Sequence, residues 1–195
     1  MPEFSIAALP EVFVSDKSIY KSVYAAVDRG QLRKLGSRLY TRNLQDDPER
    51  LVRRNWYGLI ASYYPDALIA DRTALENKPA EDGSVFLISS KKRETKLPGL
   101  TFRPRVGPGP IESDRPFSGV RLGSTPRAYL ENLRESRARG GRLPRTMPRD
   151  EIEQRLDAMI RRQGEGAVNR LRDDARAIAP QLGYEAEAAD LSELI

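Results

Sequence analysis

The chain has 195 residues, 31% of them charged, with no cysteine, no histidine and a net charge of +5. That length supports a real hydrophobic core without disulfides, and the two missing residue types remove the thiol nucleophile, the commonest general base and the usual zinc ligands. No stretch approaches the roughly 18 to 20 apolar residues of a membrane span, and the opening MPEFSIAALPEVF lacks the basic start and apolar run of a secretory signal, so the expectation is a cytoplasmic protein with no membrane partner.

Residues 3–9, EFSIAAL, predict a short first helix ended by Pro10. After EVFV, Ser15 stands as an N-cap for DKSIYKSVYAAVDRG, where Ile19, Val23 and Val27 recur at fourfold spacing and Gly30 supplies the stop. Tyr20 and Tyr24 flank that apolar stripe and are expected to pack beside it, while Lys17, Ser18, Lys21, Ser22 and Arg29 point elsewhere. Gln31 to Leu35 and Leu39 to Arg42 then predict strands joined at Gly36-Ser37-Arg38, with Leu32, Leu35, Leu39 and Tyr40 turned inward. Helix, turn, helix, hairpin is the order of a winged helix-turn-helix, expected over residues 1–45.

The charge supports that reading. Between Lys17 and Arg42 stand seven basic residues against one acid, Asp28, so nearly all of the net charge sits in one window. Arg33, Lys34, Arg38 and Arg42 are the candidates for phosphate contact, and Lys17, Ser18, Lys21, Ser22 and Arg29 those for the groove-facing helix.

Asp47 and Pro48 open a further helix that runs to about Tyr64 and buries Val52, Trp56, Leu59, Ile60 and Tyr63. From Pro65 the period changes: residues 67–70, 85–89, 100–105 and 120–122 predict strands. Asp71 or Thr73 is expected to cap a helix, with a local Asp71–Arg72 pair. Helices follow from Thr125, from about Ile152 to Gly164, and over Val168, Leu171, Ala175, Ile178 and Leu182. Between the first two runs SRARGGRLPRTMPR, with Arg137, Arg139, Arg142, Arg145 and Arg149 and no acid, a connector or a further anion contact. The expected organisation is α+β, with a mixed, mostly antiparallel domain over residues 46–182 and an acidic tail over 183–195.

Gly30-Gln-Leu-Arg-Lys-Leu-Gly-Ser-Arg-Leu-Tyr40, Pro65-Asp-Ala-Leu-Ile-Ala-Asp-Arg-Thr-Ala-Leu75 and LGSTPRAYLENL at 122–133, in this order, resemble the AbiEi-type antitoxins of bacterial toxin-antitoxin systems over residues 1–180. The resemblance implies a transcriptional regulator that binds its own promoter through the winged helix, with a second domain serving the antitoxin role. The expected work is sequence-specific DNA binding without catalysis or cofactor, as two copies on an inverted repeat, with a cognate toxin as a further partner. Similar front regions occur fused to Fic domains. Arg115-Pro-Phe-Ser-Gly119 lacks the histidine of the Fic motif, which leaves a regulatory or protein-interaction segment of a larger Fic-type protein as the alternative. A third reading rests on Asp66, Glu94 and Lys96, the PD...ExK spacing of metal-dependent nucleases; Glu94 falls in the charged turn SSKKRETK rather than a strand, which holds carboxylates too loosely for a metal.

Overall fold

In the computed structural model, which describes residues 5–138 and 140–195, the chain is an α+β structure. A 3-10 turn at Ile6–Ala8 leads to strand β1 (Val12–Val14), helix α1 (Tyr20–Asp28) and strands β2 (Arg33–Gly36) and β3 (Leu39–Thr41). The helix expected over residues 3–9 shrinks to that turn, with residues 3 and 4 outside the described part. Leu9, with ψ at 146°, is already extended, as a residue before proline prefers to be. Among the described residues the front therefore holds a single α-helix.

The three strands pair antiparallel in the order β1-β3-β2. Alternation along them sends Val12 and Leu39 to one face and Phe13 and Tyr40 to the other. Phe13 and Tyr40, ring centroids 6.0 Å apart, close over Val23 and Ala26 of α1. Val12 and Leu39 enter the central core beside Leu51, Val52, Leu59 and Ile60. The small sheet is thus covered on both sides, and the boundary expected near residue 45 crosses a continuous apolar cluster.

Asp47 caps helix α2 (Pro48–Arg54) by accepting from the amides of Glu49 and Arg50 at 3.0 and 3.1 Å. The single helix expected to reach Tyr64 breaks at Asn55, whose side chain donates to the Leu51 carbonyl and to Glu11, both at 2.9 Å, and α3 (Trp56–Tyr63) follows. Beyond them strands β4 (Leu68–Ile69), β5 (Ser84–Ile88), β6 (Thr95–Leu97), β7 (Leu100–Arg105), β8 (Arg115–Phe117) and β9 (Val120–Leu122) form one sheet ordered β6-β7-β5-β4-β9-β8. Pairs β4/β9 and β5/β7 are parallel and the rest antiparallel. Its Val85, Leu87 and Phe102 back onto α2 and α3.

Helices α4 (Asp71–Glu76), α5 (Thr125–Leu133), α6 (Arg149–Gln163), α7 (Glu165–Leu182) and α8 (Glu185–Leu194) complete the chain. The apolar stripe of α7, from Val168 to Leu182, is buried as its spacing predicts. Residues 183–195 are acidic on their outer face, yet they form α8 rather than a loose tail: Ala188 and Leu191 are buried in the same cluster as α5 and α7.

Candidate nucleic-acid interface

Helix α1 starts at Tyr20 and not after Ser15, because the Asp16 carboxylate holds the intervening turn. It accepts from the Ser18 amide at 2.8 Å, the Ser18 hydroxyl at 2.5 Å and the Ile19 amide at 3.2 Å. These bonds, the Ser18 hydroxyl first, lower the Asp16 pKa. Val23 and Ala26 take the inner face of α1, which leaves Tyr20, Lys21 and Tyr24 exposed on the outer face, with Lys17 exposed in the turn that precedes the helix. Tyr20 and Tyr24 do not pack beside the apolar stripe as their positions predict. They are 50% and 56% exposed, with ring centroids 6.4 Å apart; Val23 and Ala26, not the tyrosines, meet Phe13 and Tyr40 of the sheet.

The hairpin tip is clasped to the entry of α1. The Ser15 amide donates to the Arg38 carbonyl and the Arg38 Nε to the Ser15 carbonyl, both at 2.8 Å. Arg38 sits at φ +59°, as the turn requires. Arg33 donates from its two terminal nitrogens to the carbonyls of Leu44 (3.1 Å) and Asp46 (2.6 Å), and Arg42 donates to Ala7 at 3.3 Å. Of the four basic hairpin residues, Lys34 is the one whose side chain has no such tie among the described residues, and it is exposed. Arg29 is exposed and donates to Gln31 at 3.1 Å; Ser22 is half-buried.

A second basic element stands against the hairpin tip. The connection from β5 to β6 carries Lys91, Lys92 and Arg93, and β6 itself carries Lys96, all exposed. Together with Ser37 and Arg38 it lines a groove of about 630 Å³. Tyr64 fixes this loop, its hydroxyl donating to the Arg93 carbonyl at 2.6 Å and lying 2.9 Å from Thr95 Oγ1, while Lys91 Nζ donates to the Tyr63 carbonyl at 2.7 Å. The Tyr63 hydroxyl beside it is buried without a hydrogen-bond partner, and burial raises its pKa. The run SSKKRETK was legible as charge, but not as a neighbour of the hairpin more than fifty residues earlier.

Other candidates are held apart. Asp66 accepts from Ser89 Oγ at 2.7 Å and the Ser90 amide at 2.8 Å, and these bonds, those from Ser90 foremost, draw its carboxyl down to about 2. Glu94 pairs with Arg142 at 3.1 Å. Among the described residues no three His, Cys, Asp or Glu side chains gather to hold a metal. Asp71 does not pair with Arg72: at φ +51° and almost fully buried, it receives Arg105 through two bonds of 2.8 Å. Thr73 Oγ1 accepts from the Phe86 amide at 2.9 Å instead of capping α4. Of the arginine-rich connector, Arg139 lies outside the described residues; Arg142 and Arg145 approach the face of β5 and β7, and Arg149 opens α6.

Comparison of the chain with protein-family models, with curated proteins and with solved structures yields no match.

Proposed function

We propose that this protein is a non-catalytic, sequence-specific DNA-binding regulator, an AbiEi-like antitoxin and autorepressor that works in the cytoplasm and places α1 in the major groove of its own promoter with the β2–β3 hairpin as its wing. One observation carries the DNA-binding part: Lys17, Lys21 and Lys34 are exposed, Tyr20 and Tyr24 stand on the outer face of α1, and the basic stretch from Lys91 to Lys96 lies beside Arg38, which is clasped to Ser15 at the entry of that helix. Lysines at that density exchange counterions for phosphates, and two exposed tyrosines on the same helix offer hydroxyls to sugar and phosphate. A helix of nine residues fits the groove.

Autorepression and a cognate toxin rest on the AbiEi resemblance, and binding as two copies on an inverted repeat on the docking geometry of helix-turn-helix proteins. The test is fluorescence anisotropy with the chain's own upstream DNA and a scrambled duplex across a salt series. Tighter binding to the upstream DNA, with a negative salt slope, supports the reading; no binding to either duplex at low salt overturns it. That result would favour the other reading, a protein-interaction or regulatory segment of a larger Fic-type protein, for which the exposure of Tyr20 and Tyr24 is the supporting observation.

A further inference from the structure

The large sheet holds a second concavity, which borders the groove beside Arg38 at Glu94. Because β5 and β7 pair in parallel, Phe86 stands beside Arg103 and Ile88 beside Arg105 on the face turned away from α2 and α3. Residues 135–138 and 142–145 face these strands across a cleft of about 650 Å³ lined by five arginines and three carboxylates. That volume lies within the usual range for small-molecule sites.

The arginines are not equally committed. Arg105 is held by Asp71, and Arg142 by Glu94 at 3.1 Å. Arg103 reaches Asp82 at 3.4 Å with one terminal nitrogen, but its Nε is buried without a partner, and its guanidinium lies 5.9 Å from the Phe86 ring centroid. Arg145 comes no nearer than 3.9 Å to Asp71, and Arg137, exposed at the rim, has no ion-pair partner among the described residues.

We propose that this cleft binds a phosphorylated small molecule of mononucleotide size, its phosphate gripped by Arg137 and Arg145 and its base stacked on the Arg103 guanidinium above Phe86. Guanidinium forks match the paired oxygens of a phosphate better than any other side chain does, and a guanidinium plane supported by an aromatic ring is a surface on which bases stack. Glu135 and the buried Asp71 line this cleft and not the groove beside Arg38, whereas Glu94 borders both. The rim carboxylates Glu94 and Glu135 repel a continuous polyanion passing through, whereas a mononucleotide offers them ribose hydroxyls and base amino groups as donors.

The experiment is isothermal titration calorimetry of the full chain with ADP, AMP, inorganic phosphate and a short duplex DNA, repeated on Arg137→Gln and Arg137→Gln/Arg145→Gln. The expected result is saturable one-to-one binding of ADP, weakened at least tenfold in the double variant and measurably in the single one. Thermal unfolding of each variant checks that it is folded; should the double variant fail to fold, the exposed Arg137→Gln decides alone. Absence of saturable ADP binding, or equal binding by parent and variants, overturns the proposal. So does inorganic phosphate binding as tightly as ADP, which would make the site one for a bare oxyanion. Stoichiometric displacement of ADP by duplex DNA also overturns it, by assigning these arginines to the nucleic-acid surface.

Discussion

Arg105 donates to both carboxylate oxygens of Asp71 at 2.8 Å, joining β7 to the first residue of α4 across 34 positions of sequence. Glu131 stands against this pair, accepting from the Asp71 amide at 2.9 Å and lying 3.3 Å from Arg105. Burial first, and then the negative Asp71, raise the Glu131 pKa. The fully buried Arg127 extends the chain of charges, donating to Glu131 at 3.0 Å and Asp114 at 2.8 Å. Arg105→Gln removes the main counter-charge from two buried carboxylates and is expected to destabilise by about 3 to 5 kcal/mol. Asp71→Asn is expected to be milder, since asparagine tolerates a positive φ and one source of repulsion on Glu131 disappears. Urea unfolding of the two variants measures the difference; equal losses would refute the ordering.

Glu11 gives the fold an acid-sensitive joint. It accepts from Arg54 Nε and Asn55 Nδ2 at 2.9 Å and from Asn43 Nδ2 at 3.3 Å, so one carboxylate ties the approach to β1 to α2 and to the end of the hairpin. The Arg54 bonds lead in drawing its pKa from 4.5 to about 2. A folded-state pKa below the unfolded one means stabilisation that is complete above about pH 4.5 and fades as pH falls towards 2. Glu11→Gln should therefore cost about 1 to 2 kcal/mol at neutral pH, allowing for solvent screening, and progressively less as the pH is lowered. Denaturation midpoints measured at pH 7, 4 and 2.5 check this; a pH-independent deficit would exclude it.

Among the basic side chains the structure separates two behaviours. Lys17→Ala/Lys21→Ala and Lys92→Ala/Lys96→Ala touch exposed lysines without side-chain partners among the described residues, so each pair should weaken DNA binding and reduce the salt slope by about one unit for every phosphate left unneutralised, with stability unchanged within about 0.5 kcal/mol. Arg33→Ala should do the reverse. Its guanidinium holds the 44–46 carbonyls, so the expected loss is about 1 to 3 kcal/mol of stability with little change in slope. A slope change in Arg33→Ala alone would invert the assignment.

Leu39→Ala tests the shared core. Its side chain is fully buried in the cluster that contains Leu51, Val52 and Ile60, so its truncation is expected to cost about 2 to 5 kcal/mol. Unfolding followed by Trp56 fluorescence and by far-ultraviolet circular dichroism should shift together. Separate transitions would mean that the front melts by itself.

How much of this could be read from residues alone follows from the range over which each signal acts. The stripe of α7 and the bounds of β7 and β9 were legible because periodicity and turn residues are local. Strands β6 and β8, TKL and RPF at the two edges of the large sheet, lack the apolar alternation of the equally short β9, VRL, and it is pairing with a neighbour that marks them. The same holds for β1, which no motif marks. Within the candidate site, Lys17 and Lys21 are exposed, as their positions around an apolar stripe suggested, and Lys34 is exposed on β2. That Arg33 turns back to the 44–46 carbonyls, that Asp71 meets Arg105 rather than Arg72, and that Lys91 to Lys96 lie beside the Arg38 turn are facts of tertiary contact, for which spacing carries no signal.

The small sheet between α1 and α3 bears on how such a protein can change over evolutionary time. With Val12 and Leu39 sealed into the same interior as Leu51 and Ile60, the first 45 residues are not a portable cassette: excised, they would carry a raw apolar face, and another front grafted in their place would have to reproduce that face side chain by side chain. Under the DNA-binding function proposed above, new specificity would come by exchanging residues on the outer face of α1, where Tyr20, Lys21 and Tyr24 are exposed, rather than by shuffling whole segments.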